Sequence, residues 1–288
     1  MSWNQQILSR LEASKRTVVK EMVDALLKIK GVEIIVLGGS YARGMNKEGS
    51  DIDLGIYYAE NCPLDIIALT ELANSFSQSQ DYEIVNLYEW GSWINGGAWI
   101  HTKSGKIDWF YRNIDQVKKV ILEATQGKFT WDYIQKPPYG FFSTMYLADI
   151  QNHEMIYDSK GIYAQLREAV QIYPEALRQV IIQKHLVSIN GCFLVATQFV
   201  KKNCVYGTVG CITRIAAELT QLLFAFNRVY FATDKGALET IESFSLKPKG
   251  YVQRMQSILA NPGKGRKLYN SLNKIKELSQ EVIELDRV

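Results

Sequence analysis

The sequence has little of what marks several common classes of protein. Its 288 residues include only four cysteines and three histidines. The cysteines form no C-x-x-C pair, and the histidines at positions 101, 153 and 185 are too far apart for the helical zinc motif. The longest apolar runs, such as residues 32–37, fall well short of the roughly 20 residues of a membrane span. We therefore expect neither a disulfide scaffold, nor a zinc module, nor a membrane protein.

The chain also has no large excess of positive or negative charge. The chain has 33 Lys and Arg residues against 30 Asp and Glu residues, a formal net charge of +3. So small an excess argues against a chain that binds nucleic acid by charge alone. Hydrophobic residues make up 47% of the chain, which argues against disorder. The first residues lack the basic segment and apolar stretch of a secretory signal, so we expect a soluble, cytoplasmic protein.

Hydrophobic periodicity divides the chain into an N-terminal α/β part and a C-terminal helical part. A helical pattern over residues 5–30 precedes short apolar runs that are typical of strands. These runs lie at 33–37, 52–58, 82–89, 98–102 and 106–112. Further helical windows lie at 114–126, 140–152, 160–171, 174–202, 208–232 and 266–286. We predict an α+β protein, with a mixed sheet flanked by helices in residues 1–125 and a helical bundle in residues 126–288.

One stretch of the N-terminal part carries most of the chemical information. Residues 38–40, Gly-Gly-Ser, end a predicted strand, and Asp51 and Asp53 open the next one. Alternate residues of a strand share a face, so the two carboxylates repel each other unless a cation lies between them. Oxygen ligands select hard ions such as magnesium or manganese. The glycine-serine turn offers backbone N–H groups and a hydroxyl to a phosphate.

A third carboxylate is expected from a neighbouring strand. Asp108 lies in the run 106–112, where alternation places it on one face with Phe110. It either completes the metal site or accepts the proton of an attacking hydroxyl, and Glu89 is the alternative base. Arg43, just after the glycine turn, faces either phosphates or solvent.

The glycine-serine pair, the Ser-Asp-x-Asp sequence at residues 50–53 and the later Asp108 resemble the DNA polymerase β-like nucleotidyltransferase superfamily. The resemblance covers about residues 33–112. A catalytic domain followed by helices is similar to antibiotic nucleotidyltransferases of the aminoglycoside and lincosamide type. The resemblance implies transfer of a nucleoside monophosphate, usually AMP from ATP, to a hydroxyl of a small molecule, with release of pyrophosphate.

The resemblance also implies roles for individual carboxylates. Asp51 and Asp53 would bind metal, with two magnesium ions expected. Asp108 would be the third ligand or the base.

The same resemblance implies contacts with the triphosphate. Gly39 and Ser40 would hold the β- and γ-phosphates, and Ser50 would touch the triphosphate. In such enzymes basic residues of the helical domain often reach the phosphates, and Lys235 and then Arg228 are the candidates here.

Two other functions stay open at this point. The same chemistry can act on RNA or protein, although the near-neutral charge argues against RNA. A module that senses a nucleotide without turning it over is the other alternative, and the presence of all three carboxylates argues against it. The chain has no Gly-x-x-x-x-Gly-Lys-Ser/Thr sequence, which disfavours a P-loop NTPase.

Overall fold

The computed structural model describes residues 3–78 and 82–287 of the chain. It divides into two compact units. The first comprises Met1–Leu122 with Tyr146–Ile172, and the second comprises Glu123–Met145 with Tyr173–Val288. The domain boundary expected at residues 125/126 stays a prediction, although the segment Tyr146–Ile172 packs with the first unit.

Strands and helices follow the predicted order over most of the chain. The strands of the described residues are β1 (Ile34–Leu37), β2 (Ile52–Tyr58), β3 (Tyr82–Val85), β4 (Gly97–Thr102), β5 (Gly105–Asn113), β6 (Trp131–Asp132), β7 (Phe141–Phe142) and β8 (Glu154–Asp158). The helices are α1 (Ala13–Leu26), α2 (Gly39–Ala42), α3 (Ile66–Phe76), α4 (Ile114–Thr125), α5 (Met145–Asn152), α6 (Ile162–Ala169), α7 (Glu175–Lys201), α8 (Val205–Phe226), α9 (Ala237–Glu242), α10 (Tyr251–Ala260) and α11 (Arg266–Glu284). Short 3₁₀ helices span Gln5–Arg10 and Leu285–Arg287.

The first unit is built on a six-stranded sheet in the order β3-β4-β5-β2-β1-β8. Strands β2 and β5 are parallel and the other neighbouring pairs are antiparallel. One face of the sheet is buried against helices such as α1, where the Trp109 indole N–H donates to the Met22 sulfur at 3.1 Å. The prediction of an α+β fold, with a mixed sheet flanked by helices and a helical C-terminal region, is confirmed.

Two local predictions were wrong. The segment 154–158, inside the region predicted to be a helical bundle, is a strand, because β8 pairs with the free edge of β1 and extends the sheet. The helical pattern over residues 5–30 is two helices, because the chain is extended at Leu11 and Glu12. This break lets both Leu8 and Leu11 enter the core, where they are buried.

The second unit contains helices α7 and α8, which pack against each other. By length and composition alone, both are apolar enough to cross a membrane. Of the most apolar 18-residue segment in each helix, 61% is buried inside the structure in α8 and 33% in α7. Core helices of soluble proteins meet the same criterion, so this is weak support for a membrane span. The expectation that the protein has no membrane partner stays a prediction.

Candidate active site

The parallel pairing of β2 with β5 brings together two of the predicted site residues. Asp53 is the register partner of Asp108, and the preceding pair is Ile52 with Ile107. Both isoleucines are buried in the core of the first unit. Because side chains alternate along a strand, the two aspartates lie on the opposite face of the sheet. Asp51 comes one step earlier on that face, at the entrance to β2.

A lysine that was not predicted from the sequence lies among these carboxylates. Lys106 is two residues before Asp108 on β5, so it shares the same face. Its Nζ donates to Asp108 Oδ2 at 3.0 Å and lies 3.6 Å from Asp51 Oδ2. An ammonium group therefore lies between Asp51 and Asp108, two of the three carboxylates predicted for the site.

The surroundings of Asp108 suit a carboxylate that binds a cation or takes up a proton. Burial raises the pKa of Asp108 above its ordinary value, against the opposing effect of the Lys106 ammonium. Its Oδ1 atom is buried and makes no hydrogen bond within the described part of the chain. An unsatisfied carboxylate oxygen beside two further carboxylates fits a hard divalent ion. Among residues 3–78 and 82–287, however, no group of three or more His, Cys, Asp or Glu side chains is arranged to hold a metal ion.

The glycine turn lies directly against the carboxylate of Asp53. Strand β1 ends at Leu37, and the Gly38 N–H donates to the Asp53 carbonyl at 2.8 Å. Gly39 follows with a φ of +60°, and a Cβ atom there would lie 1.8 Å from Asp53 Oδ2. Only glycine permits both this conformation and this approach. The half-buried Ser40 comes next, at the start of the single helical turn α2.

Ser50 and Arg43 hold the loop between the two motifs. Ser50 Oγ accepts from the Lys47 N–H at 2.8 Å, and the Ser50 carbonyl accepts from Lys15 Nζ at 3.0 Å. The exposed Arg43 donates from Nε to the Gly39 carbonyl at 3.3 Å. These contacts fix the loop, and the phosphate-binding roles of Ser50 and Arg43 stay predictions.

The two basic candidates of the helical region lie in the second unit. The predicted helix 208–232 ends at Phe226, because Arg228 has a φ of +54°. The Arg228 guanidinium pairs with Glu175 at 2.6 Å, and Lys235 is exposed just before α9. A contact of either residue with a triphosphate stays a prediction.

The structure also places the alternative base and the aromatic residues. Glu89 stabilises the turn that contains it, because its Oε2 accepts a hydrogen bond from the Asn86 N–H at 2.9 Å. On β4, Trp99 is the register partner of Asp108, and its ring centroid lies 4.7 Å from that of Trp90. Trp99 therefore lies beside Asp108, and Trp90 packs against Trp99.

Further along the same face, polar residues are enclosed by the structure. Arg112, two residues after Phe110 on β5, donates to Asp149 on α5 at 2.7 Å. The histidine after α5, His153, lies with its ring 5.2 Å from Phe110, and a Cβ atom added to Gly38 would lie 3.3 Å from its Nε2. Burial lowers the pKa of His153 below its ordinary value. This group was not predicted from the sequence, because no local pattern connects a strand arginine to an aspartate on a later helix.

Comparison with known proteins assigns the N-terminal region to a class. Residues 19–99 match the family model described as Nucleotidyltransferase domain, and residues 141–235 match a domain of unknown function, DUF4037. The first match includes the glycine turn, Asp51 and Asp53. The protein therefore carries a nucleotidyltransferase domain and is a transferase of that class.

Similarity beyond the family models is distant. No curated protein matches the chain. Among solved structures, a nucleotidyltransferase-like protein from Exiguobacterium sibiricum 255-15 is similar at 10% sequence identity, over 94% of this chain and 75% of that chain, with a TM-score of 0.43.

Proposed function

We propose that the protein transfers a nucleoside monophosphate, AMP from ATP, to a hydroxyl of a small molecule such as an aminoglycoside or lincosamide, releasing pyrophosphate. The observation that carries this proposal is the register pair of Asp53 and Asp108, with the backbone of Gly39 against the Asp53 carboxylate. A triphosphate at the glycine turn would lie beside these carboxylates.

The proposed reaction is a direct displacement at the α-phosphorus. The acceptor oxygen forms a bond to the α-phosphorus while the bond from that phosphorus to the bridging oxygen breaks, and pyrophosphate leaves. The hydroxyl proton passes to Asp108, whose Oδ1 atom makes no hydrogen bond within the described part of the chain and is available to accept it. A magnesium or manganese ion held by Asp51, Asp53 and Asp108 would neutralise charge on the phosphates.

The glycine turn supplies the contacts with the phosphates in this proposal. Gly39 and Ser40 offer backbone N–H groups and a hydroxyl, as an anion site requires. Arg43 and Lys235 are proposed as further cationic contacts, with Arg228 after them. The Arg228 guanidinium would have to exchange its pairing with a carboxylate for one with a phosphate.

Two features favour a small acceptor. Trp99 lies beside Asp108 and packs against Trp90, and the two rings offer a stacking surface for a ring-containing molecule. The net charge of +3 provides little attraction for an RNA backbone.

A nucleotide-sensing module without turnover is the second candidate function. It is favoured by one observation, the Lys106 ammonium between Asp51 and Asp108. Magnesium-dependent binding of ATP without pyrophosphate release, for every acceptor screened, would support this candidate over the transferase.

The test is pyrophosphate release with ATP, magnesium and a panel of aminoglycosides and lincosamides. We expect Asp53→Asn to lose about a thousandfold or more in turnover, because it removes a carboxylate that binds the charge-neutralising ion. The matched control is Glu71→Gln, which changes an exposed carboxylate on α3 of the same unit and should keep wild-type turnover. Wild-type turnover in Asp53→Asn would rule out the proposed site.

A further inference from the structure

A cavity of about 390 Å³ lies within the second unit, between the segment that carries β6 and β7 and one face of α8. Pockets for small molecules measure about 300–1,000 Å³ and combine apolar walls with a few polar groups. The wall that the segment supplies is aromatic and consists of Trp131, Tyr133, Tyr139 and Phe142. The volume and the wall therefore suit a small molecule that contains a ring.

The aromatic wall is held in place by contacts within its own segment. Trp131 on β6 is the register partner of Phe142 on β7, and the two rings stack with their centroids 5.4 Å apart. The Trp131 indole N–H donates to the Tyr139 carbonyl at 2.8 Å. Gly140 has a φ of +96°, and a Cβ atom there would lie 2.5 Å from Trp131 Nε1. The wall is thus formed before a ligand arrives, which lowers the entropic cost of binding.

The helical side of the cavity carries a carboxylate and a guanidinium. Gly210, Arg214 and Glu218 line it at intervals of four residues on α8 and so share one face of the helix. The buried Glu218 carboxylate is hydrogen-bonded to His185 and Ser188 on α7 and accepts from Arg214 Nε at 3.4 Å. Burial alone would raise the pKa of Glu218, but these partners lower it below its ordinary value. Glu218 is therefore an ionised carboxylate with partners inside the protein.

Arg214 has hydrogen-bonding capacity left over. Its Nε and Nη2 atoms donate to Glu218 and Ser188, at 3.4 and 3.2 Å. Its Nη1 atom makes no hydrogen bond within the described part of the chain, and the side chain is 54% exposed. The guanidinium carbon lies 5.6 Å from the ring centroid of Trp131. A guanidinium donor without a partner therefore lies beside the aromatic wall, where it can bind an anionic oxygen.

We propose that this cavity binds a small aromatic monocarboxylate, whose ring packs on the aromatic wall and whose carboxylate accepts from Arg214. An apolar cavity of about 150 Å³ holds benzene, so the larger volume here has room for one or two rings. A phosphate monoester carries a charge of about −1.5 to −2 at neutral pH. The ionised Glu218 in the same lining repels that charge more strongly than the single charge of a carboxylate, which favours the carboxylate.

The test is isothermal titration calorimetry of the full chain with benzoate and 2-naphthoate. We expect one site per chain, with 2-naphthylmethanol and 2-naphthyl phosphate bound at least tenfold more weakly than 2-naphthoate. Arg214→Gln should weaken binding of 2-naphthoate at least tenfold, because it removes a charge-assisted hydrogen bond. The matched control is Lys276→Gln, which removes an exposed cation from α11 of the same unit and should bind as the wild type does.

Gly210 offers a variant that fills the cavity without changing its polar groups. A Cβ atom there meets no described atom within 4 Å, so Gly210→Leu places its side chain in the open space of the cavity. Replacing a glycine inside a helix should also leave the chain folded, which thermal melting checks. We expect Gly210→Leu to lose binding of 2-naphthoate. Gly191→Leu, at an equally open glycine on α7 outside this cavity, should keep it.

Four results would overturn the proposal. They are no binding of either carboxylate by the wild type, unchanged binding in Arg214→Gln or Gly210→Leu, an equal affinity for the uncharged alcohol, and a higher affinity for the phosphate. None of them depends on nucleotidyl transfer, so the proposed function is tested separately.

Discussion

One face of strand β5 carries two ionic groups that differ in how far they are enclosed. At the start of the strand, Lys106 is 30% exposed, and its partners Asp51 and Asp108 are 46% and 19% exposed. Near the end, Arg112 is 14% exposed and its partner Asp149 is 18% exposed. We call these the open group, with Asp53 and Asp108 included, and the closed group. Both groups lie on this face because side chains alternate along the strand. They differ in how far the surrounding structure encloses them, and not in their sequence pattern.

The closed group is enclosed by α5 and by aromatic rings. Asp149 reaches Arg112 from α5, and the guanidinium lies 4.9 Å from the ring centroid of Phe110 and 5.0 Å from that of Tyr146. The two charges of an enclosed ion pair lose their hydration, so each charge depends on the other to compensate for that loss. The open group keeps contact with solvent and retains a buried carboxylate oxygen, Asp108 Oδ1, without a hydrogen bond inside the described residues. The Asp108 carboxylate therefore keeps an acceptor atom that a bound group can use.

Phe110 separates the two groups. A Cβ atom added to Gly55 would lie 2.5 Å from its ring, and one added to Gly38 would lie 3.1 Å from it. Glycine at both positions lets the ring lie flat against β2 and the end of β1. The ring therefore keeps the enclosed pair apart from the carboxylates that face the glycine turn.

The largest expected effect is on stability and comes from the closed group. Asp149→Ala leaves the Arg112 guanidinium buried without its carboxylate, and we expect the free energy of unfolding to fall by about 3–5 kcal/mol. In the open group, Asp51→Ala removes a partner that is nearly half exposed, so the loss should stay below about 1 kcal/mol. Urea denaturation of the two variants measures the difference. Equal losses would contradict the distinction between the groups.

A double variant sharpens this prediction. Arg112→Met combined with Asp149→Leu replaces the ion pair by apolar side chains, and it should recover most of the stability lost in Asp149→Ala. A double variant no more stable than Asp149→Ala would show that the pair itself, and not an unpaired charge, supplies the stability.

The next effect is on catalysis and comes from the open group. A methyl group at Gly39 would lie 1.8 Å from Asp53 Oδ2, so Gly39→Ala must displace that carboxylate. We expect kcat/KM for nucleotidyl transfer to fall about a hundredfold, since a displacement of about 1 Å at a catalytic group has that effect. Steady-state kinetics of pyrophosphate release measure it.

Gly44→Ala is the matched control for Gly39→Ala. Its φ of +65° is almost the same, but nothing lies within 4 Å of the added Cβ atom. Both variants should lose about 1–2 kcal/mol of stability from the left-handed backbone conformation. Only Gly39→Ala should lose activity, and a similar loss in Gly44→Ala would assign the effect to backbone strain.

Local pattern was enough to predict the elements that build the open group. The β-branched run before the glycine turn, the alternation around Asp53 and Asp108 and the strand runs at 98–102 and 106–112 each depend on neighbouring residues, and the structure contains all of them. The position of Lys106 beside Asp51 and Asp108 was missed because the register of β2 against β5 joins residues far apart in sequence. The closed group and strand β8 were missed for the same reason, since Arg112 meets its partner only through tertiary packing.

The smallest expected effect is a pH dependence of stability in the closed group. His153 lies among Asp149, Arg112 and Arg43, and burial lowers its pKa in the folded protein below the ordinary value near 6.5. As the pH falls, His153 therefore takes up a proton at a higher pH in the unfolded chain than in the folded protein. The contribution of His153 to stability is complete above the unfolded pKa and is lost as the pH falls through the folded pKa.

The measurement compares His153→Gln with the wild type in urea denaturation from pH 7.5 to pH 5. The variant should lose less stability over this range, because it removes the group that protonates preferentially in the unfolded chain. If His153→Gln follows the wild-type profile, then burial beside Phe110 does not produce a pH dependence of stability in the closed group, and enclosure is not what separates the groups on this face.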